Sequence, residues 1–177
     1  TQRAVRRVLP DPVDDEIVLK CLELALRAPT GANGQNWEFI VVKDPRVKKK
    51  LARRYRLAWR VFHRTSIRDI ASYDDEMAKS VKAIQWQVDH FTEVPVIVVA
   101  CLRLSAREGR VPYLPTPHAA ASSFFGSIYP SVQNLMLAAR SRGLGTTLTT
   151  LHKLREADVK AVLGIPEDWE TVALIPV

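Results

Sequence analysis

Apolar positions recur along this chain in two periods, one helical and one extended. Ile17, Val18, Cys21, Leu22, Ala25 and Leu26 repeat at helical spacing behind Asp14 and Asp15, which predicts an amphipathic helix with an acidic N-terminal cap. Pro29 is expected to close it, because proline forces the preceding Ala28 out of the α region. Trp37–Lys43 reads as a strand. Asp44-Pro45 then supplies a cap and a first-turn proline for a helix on which Val47, Leu51, Tyr55, Ala58 and Phe62 share one face. Asp74–Phe91 is a further helix, with Met77, Val81, Ile84 and Val88 in a stripe. Val94–Leu102 is apolar throughout, as a strand covered on both faces would be. Arg103–Ala121, with Pro112, Pro115 and Pro117, reads as a loop. Ser122–Arg142 is a long helix containing Pro130, and Gly143 ends it in the left-handed manner. Thr146–Leu151 reads as extended, Glu156–Leu163 as a short helix stopped by Gly164, and Thr171–Val177 as a strand. The mixed order with helices dominant gives an α+β class, a central sheet with helices on both sides.

Length and charge refine this picture. With 177 residues the chain fits one domain, residues 1–177. It stops in Ile175-Pro176-Val177 without a cap or polar tail, so further residues are expected after it. Nine Lys and Arg residues between Lys43 and Arg60 face the single Asp44, an excess larger than the net charge of +7 of the whole chain. This basic helix is the one feature that suits a nucleic-acid-binding module, but it lacks interleaved exposed aromatics, and a solvated face explains it more simply. No apolar run reaches the roughly 18 residues needed to span a bilayer. The N-terminus carries no apolar signal region. Cys21 and Cys101 lie in apolar segments, as buried thiols in a reducing cytoplasm would. Metal-ligand spacing, a serine nucleophile elbow and phosphate-loop motifs are absent, so hydrolase and P-loop readings have no support.

Three stretches carry polar chemistry. Ala28-Pro29-Thr30-Gly31-Ala32-Asn33-Gly34-Gln35-Asn36-Trp37 joins a helix to a strand and exposes amides and short polar side chains. These suit the donor–acceptor edge of a flat heterocycle; a polar connector with left-handed residues at Gly31 and Gly34 is the plainer alternative. Arg3-Ala4-Val5-Arg6-Arg7 gathers three guanidiniums, which match a phosphate. An extended segment puts Arg3 and Arg7 on one face and Arg6 on the other, whereas a helix puts all three together. Gly143–Leu151 is a glycine-bracketed turn running into Thr146, Thr147, Thr149 and Thr150, open to lining a planar ligand or to serving as an ordinary connection.

Taken in order, these stretches resemble the nitroreductase family. Gln2-Arg3-Ala4-Val5-Arg6-Arg7-Val8 is similar to the family's opening Arg-Arg-Ser-Val-Arg-x-Phe, and Ala28–Trp37 to its Ala-Pro-Ser-x-x-Asn-x-Gln-Pro-Trp. Gln133-Asn134-Leu135, Gly143-Leu144-Gly145 and Leu163-Gly164-Ile165-Pro166 resemble its later motifs. Gln2 stands where the family often has Arg, and Asn36 where it has Pro; its C-terminal Gly-Tyr-Pro and last basic phosphate ligand would lie beyond Val177. The resemblance implies an intertwined homodimer with a mainly antiparallel sheet and FMN as cofactor. It implies an oxidoreductase passing a hydride from NAD(P)H through flavin N5 to a small-molecule acceptor such as a nitroaromatic, quinone or enone. A non-catalytic flavin-binding or storage member is the alternative. By the same resemblance Gln2, Arg3 and Ala4 serve the phosphate and ribityl chain, and Arg6 lies near N1 and O2 of the flavin as the electrostatic catalytic group. Pro29, Thr30, Gly31 and Asn33 reach across from the partner subunit, and Thr149, Thr150 and Leu151 pass the N5 edge. No metal, nucleic acid or membrane is expected, and the expected location is cytoplasmic.

Overall fold

The computed structural model describes residues 2–67, 75–103 and 117–177, without the side chains of Ala32 and of residues 117–121. Helix α1 (Asp15–Ala25) opens with Asp14, whose carboxylate accepts from Glu16 N–H, and strand β1 spans Trp37–Val42. Helix α2 (Pro45–Phe62) opens the same way, with Asp44 accepting from Arg46 N–H and a proline in its first turn. Helix α3 (Asp75–Asp89) leads to strand β2 (Ile97–Arg103), and α4 (Pro117–Ser141), α5 (Glu156–Leu163) and strand β3 (Trp169–Pro176) follow.

The sheet is antiparallel in the order β1-β2-β3, so β2 is its centre. Side chains alternate across a strand. Val98, Ala100 and Leu102 therefore pack with Cys21 and Ala25 of α1 and with Ile128, Val132 and Leu135 of α4. Ile97, Val99 and Cys101 pack on the other face with Leu51, Tyr55 and Trp59 of α2, with Val88 and with Phe91. Every β2 residue from Ile97 to Leu102 is buried, which explains its unbroken apolar run. Both cysteines are buried and free, and burial pushes the Cys101 thiol up to about 12.

Several boundaries depart from the sequence reading. Helix α1 ends at Ala25 rather than beside Pro29, and the turn bonds Arg27 N–H to Leu24 O and Ala28 N–H to Ala25 O follow it. Helix α4 begins at Pro117, inside the stretch expected to be loop, because proline is well suited to a first helical position; Pro112 and Pro115 lie outside the described residues. The left-handed residues of the 28–37 connector are Asn33 (φ 56°) and Gln35 (φ 47°), whereas Gly34 has φ −65°. Thr146–Leu151 is not a full strand: it touches the sheet through a bridge from Thr149 to Leu174, and Leu151–Arg155 is a 3-10 turn. Lys48, one of the basic run, turns inward and donates to Val94 O at 2.7 Å and Pro95 O at 3.4 Å, so it caps the approach to β2. Burial holds its ammonium below the usual lysine range.

The basic N-terminal segment docks on the turn after α4. Val5 N–H donates to Thr146 O at 2.9 Å, and the Gln2 amide donates to Thr146 Oγ1 at 3.2 Å and to Arg3 O at 3.3 Å. Gly145 makes this approach possible, since a Cβ there would lie 2.7 Å from Val5 Cγ1 and 3.1 Å from Val5 Cβ. Gly145→Ala should therefore lose about 1–3 kcal/mol of stability by overpacking, and Val5→Ala added to it should recover part of the loss, as read in urea unfolding. A double variant no more stable than Gly145→Ala would show that the segment is not seated through this contact.

His152 supplies a pH dependence. Its side chain is fully buried, Nε2–H donates to Thr171 O at 3.2 Å, and burial lowers its pKa from 6.5 to about 4. The unfolded chain takes up a proton near pH 6.5 while the folded chain stays neutral, so this contribution is complete above that pH. It is lost progressively as pH falls towards about 4, to a total of about 3 kcal/mol. His152→Gln should flatten the fall in urea midpoint between pH 7 and pH 5 that the parent shows; parallel pH profiles for the two proteins would contradict this.

Candidate functional site

The docked segment carries Arg6 onto the rim of a cleft of about 400 Å³ between α2, α3 and the chain leading into the 3-10 turn. Tyr55, Trp59 and Phe62 come from α2, Ile84 and Gln87 from α3, and Thr147–Leu151 supplies the facing edge. The aromatic wall is held in place from behind. Tyr55 stacks on Phe91 with ring centroids 4.4 Å apart, and its hydroxyl lies 3.1 Å from Thr149 Oγ1. Trp59 Nε1–H donates to Gln85 Oε1 at 2.6 Å. Burial pushes the Tyr55 phenol up, so it stays a neutral hydrogen-bonding group, opposed by Thr149 and by the positive charge of Arg6.

Among the described residues two cations border this cleft, and one of them is neutralised. Lys153 is paired with Glu156 and with Glu170, the latter at 3.4 Å. Among the described residues no carboxylate pairs with Arg6. Gln87, also in the lining, is 3 % exposed, and among the described residues its Nε2 has no hydrogen-bond partner.

The residues singled out from the sequence divide into three groups. Arg6, Thr149, Thr150 and Leu151 line the cleft together. Gln2 anchors the segment through both amide hydrogens, Ala4 lines an adjoining cleft, and Arg3 is exposed outside these walls. Pro29, Thr30, Gly31 and Asn33 lie elsewhere. Gly31 N–H donates to Ser127 Oγ of α4 at 3.0 Å, Asn33 N–H to Thr30 O at 3.0 Å, and Gln35 N–H to Thr30 Oγ1 at 3.3 Å. The loop therefore sits on the α1/α4 face of the sheet, while the cleft is on the α2/α3 face. Tyr55, Trp59 and Gln87 were missed as site residues. The signal for Gln87 was readable: it falls three positions after Ile84 and one before Val88, a polar residue bordering an apolar stripe. Among the described residues no His, Cys, Asp and Glu group could hold a metal, and no helix is long and apolar enough to cross a membrane.

Comparison with known proteins adds a lineage to this geometry. The chain matches the Nitroreductase family over residues 1–177. It is 24% identical over 176 residues to an iodotyrosine deiodinase of Thermotoga neapolitana, covering 99% of this chain and 83% of that protein. It is 26% identical to a putative NADH dehydrogenase/NAD(P)H nitroreductase of Archaeoglobus fulgidus, covering 95% and 75%. A 5,6-dimethylbenzimidazole synthase of Rhodospirillum rubrum is also 26% identical, covering 98% and 76%. Among solved structures, oxidised iodotyrosine deiodinase bound to FMN and 3-iodo-L-tyrosine has the same fold, with a TM-score of 0.73 at 20% identity over 99% of this chain and 83% of that one. Nitroreductase A of Vibrio parahaemolyticus follows at a TM-score of 0.69 and 18% identity over 99% and 62%. This chain belongs to the nitroreductase family.

Proposed function

We propose that this chain is one subunit of a homodimeric FMN-dependent oxidoreductase that passes a hydride from NAD(P)H to an acceptor such as a nitroaromatic, quinone or enone. The observation that carries the reading is the cleft itself: one guanidinium that no carboxylate among the described residues pairs, and a threonine-lined edge, both against an aromatic wall. Its volume of about 400 Å³ is within the range of sites for small planar ligands. The residues present fit a flavin ring: the aromatic wall would take its face, and Arg6 would meet the acceptors of its pyrimidine edge. FMN, when bound, supplies the hydride-carrying centre, so the protein needs no acid–base pair.

The chain's own residues then position and polarise. Arg6 is assigned to the N1 and O2 edge, where a fixed cation stabilises negative charge with no reorganisation of solvent. Thr149, Thr150 and Leu151 are assigned to the edge that would face N5, and the bond between Thr149 and Tyr55 fixes the first of them. Arg3 and the backbone of Ala4 are assigned to the phosphate. Pro29, Thr30, Gly31 and Asn33 complete the site of the partner subunit, because in their own subunit the sheet separates them from the cleft. Exposed apolar residues on and beside α1 and α4, among them Leu19, Leu26 and Leu137, give that face a reason to be covered. Relatives that share this fold carry out different reactions, so the acceptor is chosen by whatever borders the cleft rather than by the fold.

Arg3 and Arg6 should fail differently. Arg3→Ala should weaken FMN binding about ten- to a hundredfold, the loss of one charge-assisted contact of roughly 1.5–3 kcal/mol. It should also narrow the preference for FMN over riboflavin and leave the reduction potential near normal. Arg6→Ala should lower the potential and slow reduction by NAD(P)H at saturating FMN, because the lost interaction is strongest in the reduced state, and Arg6→Lys should recover part of it. Dye-equilibrated potentials and FMN titrations of both variants check this. A normal potential in Arg6→Ala with a shifted one in Arg3→Ala would exchange the two roles.

A further inference from the structure

Helix α2 has two faces of opposite character. Its inner face buries Leu51, Tyr55, Ala58 and Trp59 and carries the aromatic wall of the cleft. Its outer face presents Arg46, Lys49, Lys50, Arg53 and Arg60, all exposed, in a row about 20 Å long. The helix holds eight cations and no carboxylate. Exposed cations occur elsewhere on this chain, but here they stand in one row on one rigid element. Leu57 and Val61, 37 % and 45 % exposed, fall on the same face beside Arg53 and Arg60. An apolar centre inside a charged rim is the make-up of a protein interface, whereas a nucleic-acid backbone is met by cations and polar groups.

Position decides the partner's chemistry. Tyr55 and Trp59 leave the other side of the same helix and line the cleft, so the basic face and the cleft are one helix apart, about 10–12 Å with side chains. Electrons cross such a distance by tunnelling, and a hydride does not. Resting on the reading of the cleft as a flavin site, we infer that the outer face of α2 docks an acidic one-electron carrier protein, a second source of reducing equivalents. Each carrier gives up one electron, and two in succession with one proton from solvent equal one hydride. Charge complementarity speeds encounter, and exposed contacts release easily, as a carrier that leaves after each electron requires. A row of this length suits the small interfaces, under about 1,200 Å², of transient redox pairs.

The test uses the FMN-loaded protein and, as probe, a plant-type [2Fe–2S] ferredoxin, an acidic one-electron carrier of low potential. Calorimetric titration at low salt should detect binding of the oxidised carrier, with an affinity that falls steeply as salt rises. Lys49→Gln/Arg53→Gln, at two exposed sites, should weaken it about five- to twentyfold, and Leu57→Ser should weaken it too. In stopped flow, bleaching of the flavin by sub-saturating reduced ferredoxin should slow by a similar factor in the double variant, while bleaching by NADPH stays as in the parent. Lys79→Gln/Lys82→Gln removes the same charge from α3 and should leave ferredoxin binding unchanged. Equal losses in the two double variants would make the effect one of net charge and overturn the proposal. So would absent binding, or binding without bleaching in a protein that NADPH does bleach. Tighter binding of duplex DNA through Lys49 and Arg53 would give the face to nucleic acid and overturn it as well. Bleaching by ferredoxin alone would uphold the docking face and remove NAD(P)H from the proposed function.

Discussion

The burial of β2 on both faces is the constraint from which the rest follows. A strand whose side chains alternate between two cores needs helices on each side, and α1 with α4 covers one side while α2 with α3 and α5 covers the other. Anything attached to one helical layer is thereby separated from the other by the thickness of the sheet. The 29–33 loop is pinned to α4 through Ser127, and the aromatic cleft is walled by α2. Within one subunit the polar 29–33 loop and the polar edge of the cleft therefore cannot meet. Either they serve two ligands, or a second copy brings one half to the other; the latter gives the loop's internal bonds and its left-handed Asn33 and Gln35 a purpose beyond connection.

Electrostatics sharpen the division of labour around Arg6. Lys153, on the same cleft, is cancelled by Glu156 and Glu170, and Tyr55 is kept neutral by burial. Among the described residues this leaves Arg6 as the charge that a ligand in the cleft would meet. Arg6 owes its place to its neighbour Val5, whose N–H donates to Thr146 O and whose side chain packs where Gly145 has no Cβ. A glycine outside the lining of the cleft thereby positions the charge.

Much of this could be read from the chain and some could not, for identifiable reasons. Helix starts were readable where a side chain caps them, as Asp14 and Asp44 do, and α5 was readable because Gly164 ends it at φ 68°. The start of α4 was not, since prolines spaced through residues 112–117 mark a loop and a first helical turn equally well. Thr146–Leu151 looked like a strand because β-branched residues favour extension, yet this segment meets the sheet at Thr149 and then tightens into a turn. The pairing of Arg6 with Thr149–Leu151 came through resemblance, whereas the aromatic wall did not: Tyr55 and Trp59 have the periodicity of core residues, and they are core residues that also face a cleft. Lys48 shows the limit of charge counting, since a cation in a basic run can turn inward when two carbonyls wait for it.

The claim that the site is shared across two subunits is tested most directly by mixing two defective proteins. One carries Arg3→Ala, on the cleft side, and the other Thr30→Ala/Asn33→Ala, on the loop side. In a heterodimer formed from them, one site combines both lesions and the other combines none. FMN titration of the isolated heterodimer should recover one flavin per dimer at the parent's affinity, although each homodimer binds weakly. No recovery in the heterodimer, or a chain that binds FMN at full affinity as a monomer, would contradict the account.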